Sequence, residues 1–511
     1  MRLIPRTLRR PRHPRPLLVG GVAFCSAIAF FIGMATPWGG AQQTPTPTGS
    51  PTASSGATTT VTATTSPPST ASPSASGCPQ PNPNLWPFGV VCGRDVNVPS
   101  PPESPSLVPT IATKTTTRIW GTDPFQEAVA VTQHVWPAAL PENAPGETDN
   151  VPDRPWGLTL VTPDDPLQAI SAVPLLHFPD DAPVLYVTKD DIPKVTLDEI
   201  KRLGDTGIVR FNNNDAFLVG AAANKAVEDQ LTAIGVKWVE VKGNDVFDLA
   251  NNVDKLYGHI QNPDIGVPQM EISASTGGNG AWDVLIGSAD GKDYQYYLPA
   301  THWASHMPAG MLWTHRDSIP QPTIDALKRR NGHALIYVFG GKDQVSGSVI
   351  TELNKYGSVT RINANDDVAF NTVPTTTPFN TAVAFAKMWD PTGMVGWNIL
   401  GPGHGFTLVN VDNWQGAVAS APLSHLGFHA PLLLTDSAGQ LPTEVDNYYK
   451  AVAPTFITTP ADGPYNMTYV IGDYSMLSWP LQAHVDFISE MSNRRVWNNA
   501  NGGRYSDSGN P

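Results

Sequence analysis

Residues 174–193 read PLLHFPDDAPVLYVTKDDIP, residues 299–320 read PATHWASHMPAGMLWTHRDSIP, and residues 422–442 read PLSHLGFHAPLLLTDSAGQLP. The opening prolines stand 125 and then 123 residues apart. Each stretch carries a histidine three residues after its proline (His177, His302, His425), then an apolar run ending in threonine (Thr188, Thr314, Thr435), then a second proline (Pro193, Pro320, Pro442). Agreement in order and spacing at three places marks an internal repeat, which has to be read before any single motif.

Working outward, TRIWGTDPFQEAVAV from Thr117, VEVKGNDVFDLANNV from Val239 and TRINANDDVAF from Thr360 reset the unit every 121 or 122 residues. Each unit later reaches a strand-like run capped by glycine: FLVG at Gly220, IYVFGG at Gly340 and TYVIGD at Gly472. Short apolar runs alternate with helical stretches such as Leu197–Leu203 and Thr323–Arg330. That β-α-β-α order predicts an α/β fold of three tandem modules, each a parallel sheet flanked by helices. The runs holding Leu185, then Met311 and Leu312, then Leu432, Leu433 and Leu434 are predicted as strands buried on both faces. Residues 114–236, 237–357 and 358–492 form the three repeats, and 493–511 a polar, flexible tail.

Ahead of the repeats, six arginines lie within the first fifteen residues and are followed by the uncharged Leu17–Ala35. Residues 1–41 therefore read as a cytoplasmic basic segment with a signal-anchor or signal peptide, its length favouring an uncleaved anchor over cleavage near Gly39–Ala41. Everything after it is expected outside the membrane, in the cell envelope. Residues 42–113 are rich in Thr, Ser and Pro and read as an extended stalk. Cys78 and Cys92 bracket a short loop there, and export makes a disulfide the expected state.

The chain of 511 residues is 41% hydrophobic and only 15% charged, enough apolar material for a large core. Its net charge is −13, and with the N-terminal arginines set aside the remainder is more acidic still. Such a body is repelled by phosphate backbones, so nucleic acid is excluded as a general partner.

The opening Arg118-Ile119-Trp120-Gly121-Thr122-Asp123, the triplet and threonine of Leu432-Leu433-Leu434-Thr435, and Val338-Phe339-Gly340-Gly341 resemble the type 2 cell-wall-binding repeats of Gram-positive surface-layer proteins and wall-associated hydrolases. The resemblance covers nearly all of residues 114–492. It implies a pseudo-threefold arrangement of three modules that bind cell-wall polysaccharide or a secondary wall polymer without catalysis. It also implies polymer-binding positions at Arg118, Asp123, Arg361 and Asp366, and at Leu185, Thr188, Met311, Leu312, Thr314 and Leu432 to Thr435. The pattern departs where Pro124, Val246 and Asp367 replace a basic residue, where Val241-Lys242 stands for Arg-Ile, and where Gln168 and Gly416 stand for an aspartate that only Asp293 supplies.

Trp156, Trp282 and Trp397 lie in or beside Gly/Pro/Asn-rich insertions at equivalent places in the three units. They read either as local packing anchors or as platforms for sugar rings. The pairs His302/His306 and His425/His429, four residues apart, could present metal ligands, but their recurrence after an apolar helix favours a structural role. No HExxH or GxSxG motif is present and the repeats contain no cysteine, so neither a catalytic centre nor a cofactor is expected. The alternative to polymer binding is a divergent surface scaffold that holds a protein partner or small solute.

Overall fold

The computed structural model describes residues 110–139, 153–204, 207–261, 282–362, 377–427, 429–456, 461 and 463–493. The N-terminal apolar segment, residues 42–109 of the stalk, the Cys78 and Cys92 pair, Asp366 and residues 494–511 of the tail lie outside these residues, while Thr110–Ala112, expected as the end of the stalk, pairs as a strand with Thr116–Ile119. Among the described residues no helix is long and apolar enough to cross a membrane.

The chain enters through β1 (Thr110–Ala112), β2 (Thr116–Ile119) and α1 (Pro124–Val135). Module 1 follows as β3 (Leu158–Val161), α2 (Pro166–Ser171), β4 (Val184–Tyr186), α3 (Lys194–Leu203), β5 (Ala216–Val219), α4 (Lys225–Ala233) and β6 (Trp238–Val241), leaving through α5 (Val246–Gln261). Module 2 repeats this as β7 (Trp282–Ser288), α6 (Tyr294–His306), β8 (Gly310–Thr314), α7 (Gln321–Lys328), β9 (Ala334–Phe339), α8 (Gly347–Leu353) and β10 (Gly357–Ile362), leaving through α9 (Pro378–Lys387). Module 3 comprises β11 (Gly405–Asn410), α10 (Trp414–Ala419), β12 (Leu432–Thr435), α11 (Thr443–Ala451), β13 (Thr455–Phe456), β14 (Met467–Ile471), α12 (Trp479–Ser489) and β15 (Ser492–Asn493).

The sheets order as β4-β3-β5-β6, β8-β7-β9-β10 and β12-β11-β14-β2-β1. Within them every pairing is parallel except β1 with β2, as the β-α-β-α order predicts. The three apolar triplets are β4, β8 and β12, and their side chains are buried as expected. Helix starts follow a shared chemistry of a capping side chain followed by proline: Asp123 accepts from Gln126 N, Asp165 from Leu167 N, and Thr377 from Asn380 N.

Two features were not legible in the repeat spacing. First, the strand that opens each repeat hydrogen-bonds into the sheet of the preceding one: β6 pairs with β5, β10 with β9, and β2 with β14 of the last module. The ring is therefore closed by β2, a strand that precedes the first module in the chain. Second, the triplet strands lie at sheet edges, where they would expose unpaired backbone. The helix after each opening strand covers the next edge, α1 over β4, α5 over β8 and α9 over β12, so edge strands with fully apolar sequences remain buried.

The turn into these covering helices is tight. A Cβ on Gly121 would stand 2.3 Å from Glu127 N, and one on Gly243 would stand 2.2 Å from Leu249 N. Gly243→Ala is expected to lower stability by about 1–3 kcal/mol, because only backbone movement relieves the overlap. A urea midpoint equal to that of the parent would refute this.

At the centre, α6 packs against α2 and α10 and against the 3-10 turns Val173–Leu176 and Ala421–Ser424. The three recurring histidines lie at these module seams. His302 is fully buried, with Nδ1 2.6 Å from Ser424 Oγ, and burial lowers its pKa to about 4. His425 Nε2 lies 2.7 Å from Asp181 Oδ1, and His177 Nδ1 lies 2.8 Å from Tyr257 Oη. Their partners come from different modules, and among the described residues no group of three or more His, Cys, Asp or Glu is arranged to hold a metal.

Candidate functional site: the carboxyl-edge crevices

In a parallel sheet whose connections run to one side and then to the other, a crevice opens at the carboxyl ends of the strands where the direction changes. Here that point lies between β3 and β5, β7 and β9, and β11 and β14. The strand on the far side of each crevice, β5, β9 or β14, runs into a glycine in the left-handed region: Gly220 at φ 61°, Gly340 at φ 92° and Gly472 at φ 119°. The glycine-capped runs seen in the sequence thus mark one wall of each crevice.

The two matching arginines build that wall. Arg118 is fully buried, donating from Nη1 to Gly472 O at 2.6 Å, from Nη2 to Leu477 O at 2.5 Å and from Nε to Gln482 Oε1 at 2.8 Å. The Tyr474 ring lies 4.4 Å from its guanidinium. Arg361 donates to Gly340 O at 2.8 Å and Val345 O at 2.7 Å. Both side chains tie a closing strand to the loop after its neighbour, each donating from both terminal nitrogens to backbone carbonyls. The equivalent place in module 1, by strand register against Leu218, is Glu240 rather than Val241, and Glu240 pairs with Lys242 at 2.8 Å.

The other sequence-derived positions distribute as follows. Leu185, Met311, Leu312, Leu432, Leu433 and Leu434 are interior strand residues. Thr314 and Thr435 end β8 and β12, and Thr188 lies two residues beyond β4; Thr188 Oγ1 donates to Asp191 O and Thr435 Oγ1 to Gln440 O, while Thr314 is fully buried. Asp123 is exposed at the cap of α1. Trp156, Trp282 and Trp397 are half-buried and are divided among the modules. Trp156 shares a small hollow with Ile200 and Val236, and Trp282 meets His333 edge-on with centroids 5.0 Å apart. Trp397 stacks on His306 at 5.1 Å and meets Trp303 edge-on, where modules 2 and 3 join.

Capping residues supply the opposite wall. The helix cap stands nine residues before the Pro-Leu helix end in modules 1 and 3, as Asp165 and Asn413, rather than six, because those helices begin three residues earlier relative to the proline. The Asp-Pro pair at 165–166 was a readable helix-start signal. Asn413 carried no such mark.

The three crevices differ in what fills them. In module 3, Asn413 Nδ2 donates to Glu127 Oε1 at 2.8 Å, and a Cβ on Gly416 would strike that same oxygen. Burial raises the Glu127 pKa to about 7; Asn413 opposes the shift, while Asp473 and Asp123 add to it. Burial would raise Asp473 as well, but hydrogen bonds from Ser475 and Met476 outweigh it and hold the carboxyl below its usual range. In module 2, Gln344 folds over the strand end and accepts from Gly341 N at 3.1 Å. In module 1 the crevice is open, a cavity of about 480 Å³ bordered by Asp165, Gln168, Ala221, Lys242, Asn244 and Asp245.

No family model and no curated protein matches this chain. Among solved structures it is similar to Cwp6 from Clostridium difficile, with a TM-score of 0.52 at 17% identity over 74% of this chain and 48% of that one. It is also similar to Cwp8 from Clostridium difficile, with a TM-score of 0.50 at 16% identity over 74% of this chain and 52% of that one. The chain thus spans about half the length of these neighbours. At such identity the likeness is one of fold: a protein of three linked α/β modules.

Proposed function

We propose that this chain is a non-enzymatic cell-envelope protein that holds cell-wall glycan or a secondary wall polymer through its three modules. The observation that carries this reading is the three-module fold shared with Cwp6 and Cwp8, which are cell-wall proteins. The repeat pattern supports it, as do the apolar segment and the Thr/Pro/Ser-rich stretch ahead of the body, which suit an extracytoplasmic protein tethered to the membrane. The buried state of Arg118 and Arg361 and the acidity of the chain favour a polymer of low negative charge, held by hydrogen bonds rather than by ion pairing.

The test is retention of the full chain on isolated cell walls, intact or stripped of secondary polymers, at low and moderate salt. Retention on intact walls that is lost on stripping and changes little with salt is the expected result. No retention on either preparation overturns the reading and directs attention to a protein partner.

A further inference from the structure

We propose that the module 1 crevice is a pocket for a neutral saccharide unit, an assignment that rests on the wall-attachment reading for the source of that unit. At about 480 Å³ the cavity falls within the range of small-molecule sites, and it lies at the point in the sheet where such sites form.

The lining selects the ligand by charge. An anion would seek the amino end of α5, but the protein's own carboxylates occupy it: Asp245 Oδ1 accepts from Asp248 N at 2.8 Å, and Asp248 Oδ2 accepts from Asn244 N at 3.0 Å. Asp165 likewise takes Leu167 N at 2.9 Å across the crevice. A metal ion lacks a ligand cluster among the described residues. What the pocket offers is a mixture of acceptors and donors suited to hydroxyl groups. A carboxylate accepts at about four lone-pair sites, so Asp165 and Asp245 retain acceptor capacity; the Asn244 amide gives one N–H to Asp248 and the Lys242 ammonium one to Glu240, and each keeps further N–H donors. Gln168 is fixed at both ends, its Oε1 accepting from Ala221 N at 3.0 Å and its Nε2 donating to Asp165 Oδ2 at 2.8 Å, which pre-orients the acceptor wall. Val246 and Leu249 give an apolar side for the C–H face of a sugar ring.

The other modules argue the same point by contrast. At the place of Leu249, six residues after the turn glycine, module 3 carries Glu127, which bridges its crevice to Asn413. Module 2 lays Gln344 over its strand end. Module 1 carries a bridge of its own in Gln168, between Ala221 N and Asp165, and keeps its cavity beside that bridge.

Isothermal titration and ligand-observed NMR on the full chain, with N,N′-diacetylchitobiose, cellobiose and maltose as neutral probes and glucose 6-phosphate as the anionic one, test the assignment. At least one neutral disaccharide is expected to bind and the phosphate to be rejected. Ala221→Trp, at an exposed position on the rim, is expected to fill the pocket and abolish binding with melting unchanged. Lys242→Ala, which removes an exposed side chain, is expected to weaken binding about tenfold through loss of a charged donor. Failure of all three disaccharides to bind, or equal affinity in both variants, overturns the pocket. Wall retention measured in parallel separates the two ideas. Retention without disaccharide binding sinks the pocket alone, and disaccharide binding without retention sinks the wall reading alone.

Discussion

Asp254→Ala is expected to destabilise the folded body by about 3–5 kcal/mol, the cost of stripping one partner from a buried ion pair. Asp254 lies on α5 and is fully buried, as is Arg330 just beyond α7. The guanidinium grips both carboxylate oxygens, at 2.6 and 3.0 Å, and Arg329 adds a third bond at 2.6 Å. Gly310 leaves room for the pair: a Cβ there would stand 2.3 Å from Asp254 Oδ1. Alanine at 254 leaves the Arg330 charge in a dry interior with the Ala326 carbonyl as its remaining bond. The loss falls on the join between modules 1 and 2, since α5 covers β8. Burial alone would raise the Asp254 pKa, but the two arginines outweigh it and the carboxyl titrates below 3.8. The contribution is therefore present above that value and lost as the pH falls through the lower folded value. Urea unfolding at neutral pH checks the magnitude. A change under about 1 kcal/mol would show that the arginines find water or new partners.

Glu127 is expected to make the body more stable in mild acid than at alkaline pH, the opposite of what Asp254 does. Its pKa rises from 4.5 in the unfolded chain to about 7 in the fold. The folded state thus binds the proton more tightly. The stabilisation is complete below 4.5, declines as the pH climbs, and is gone above about 7. At about 1.36 kcal/mol per pH unit the difference amounts to roughly 3 kcal/mol. Glu127→Gln keeps a neutral acceptor for Asn413 and removes the titration. Unfolding curves at pH 5 and pH 8 should converge in this variant relative to the parent, and an unchanged pH slope would refute the assignment.

The contrast between these two acids shows what one chain of letters can reveal. The repeat, the apolar triplets and the glycine-capped strands were readable because they depend on local composition and period. Asp254 was not: an aspartate within an amphipathic helix reads as solvent-facing, and its partner lies 76 residues away. Arg118 and Arg361 were visible as a recurring mark, but an arginine bonded to backbone carbonyls and one awaiting a ligand share the same spelling. Glu127 carries no mark in the sequence, sitting among alanines and valines in α1, and only the fold brings Asn413 to it across 286 residues. The cavity in module 1 depends on leucine standing at 249 where module 3 carries Glu127, a difference that acquires meaning only once the strands are in register.

The pairing of β2 with β14 has a consequence for biogenesis. Arg118 emerges from the ribosome 354 residues before Gly472, the carbonyl it holds. At about 5–20 residues per second, β2 waits roughly 20 to 70 seconds for its neighbour. During translation the first two modules can mature while the third has no final strand, so its sheet is completed only after Met467–Ile471 has been made. The waiting strand is well suited to that delay. It is four residues long, reads Thr-Thr-Arg-Ile, and has β1 along one edge, a poor template for pairing with strangers. A chain arrested before Met467 would hold two finished modules and a latch with nothing to close on.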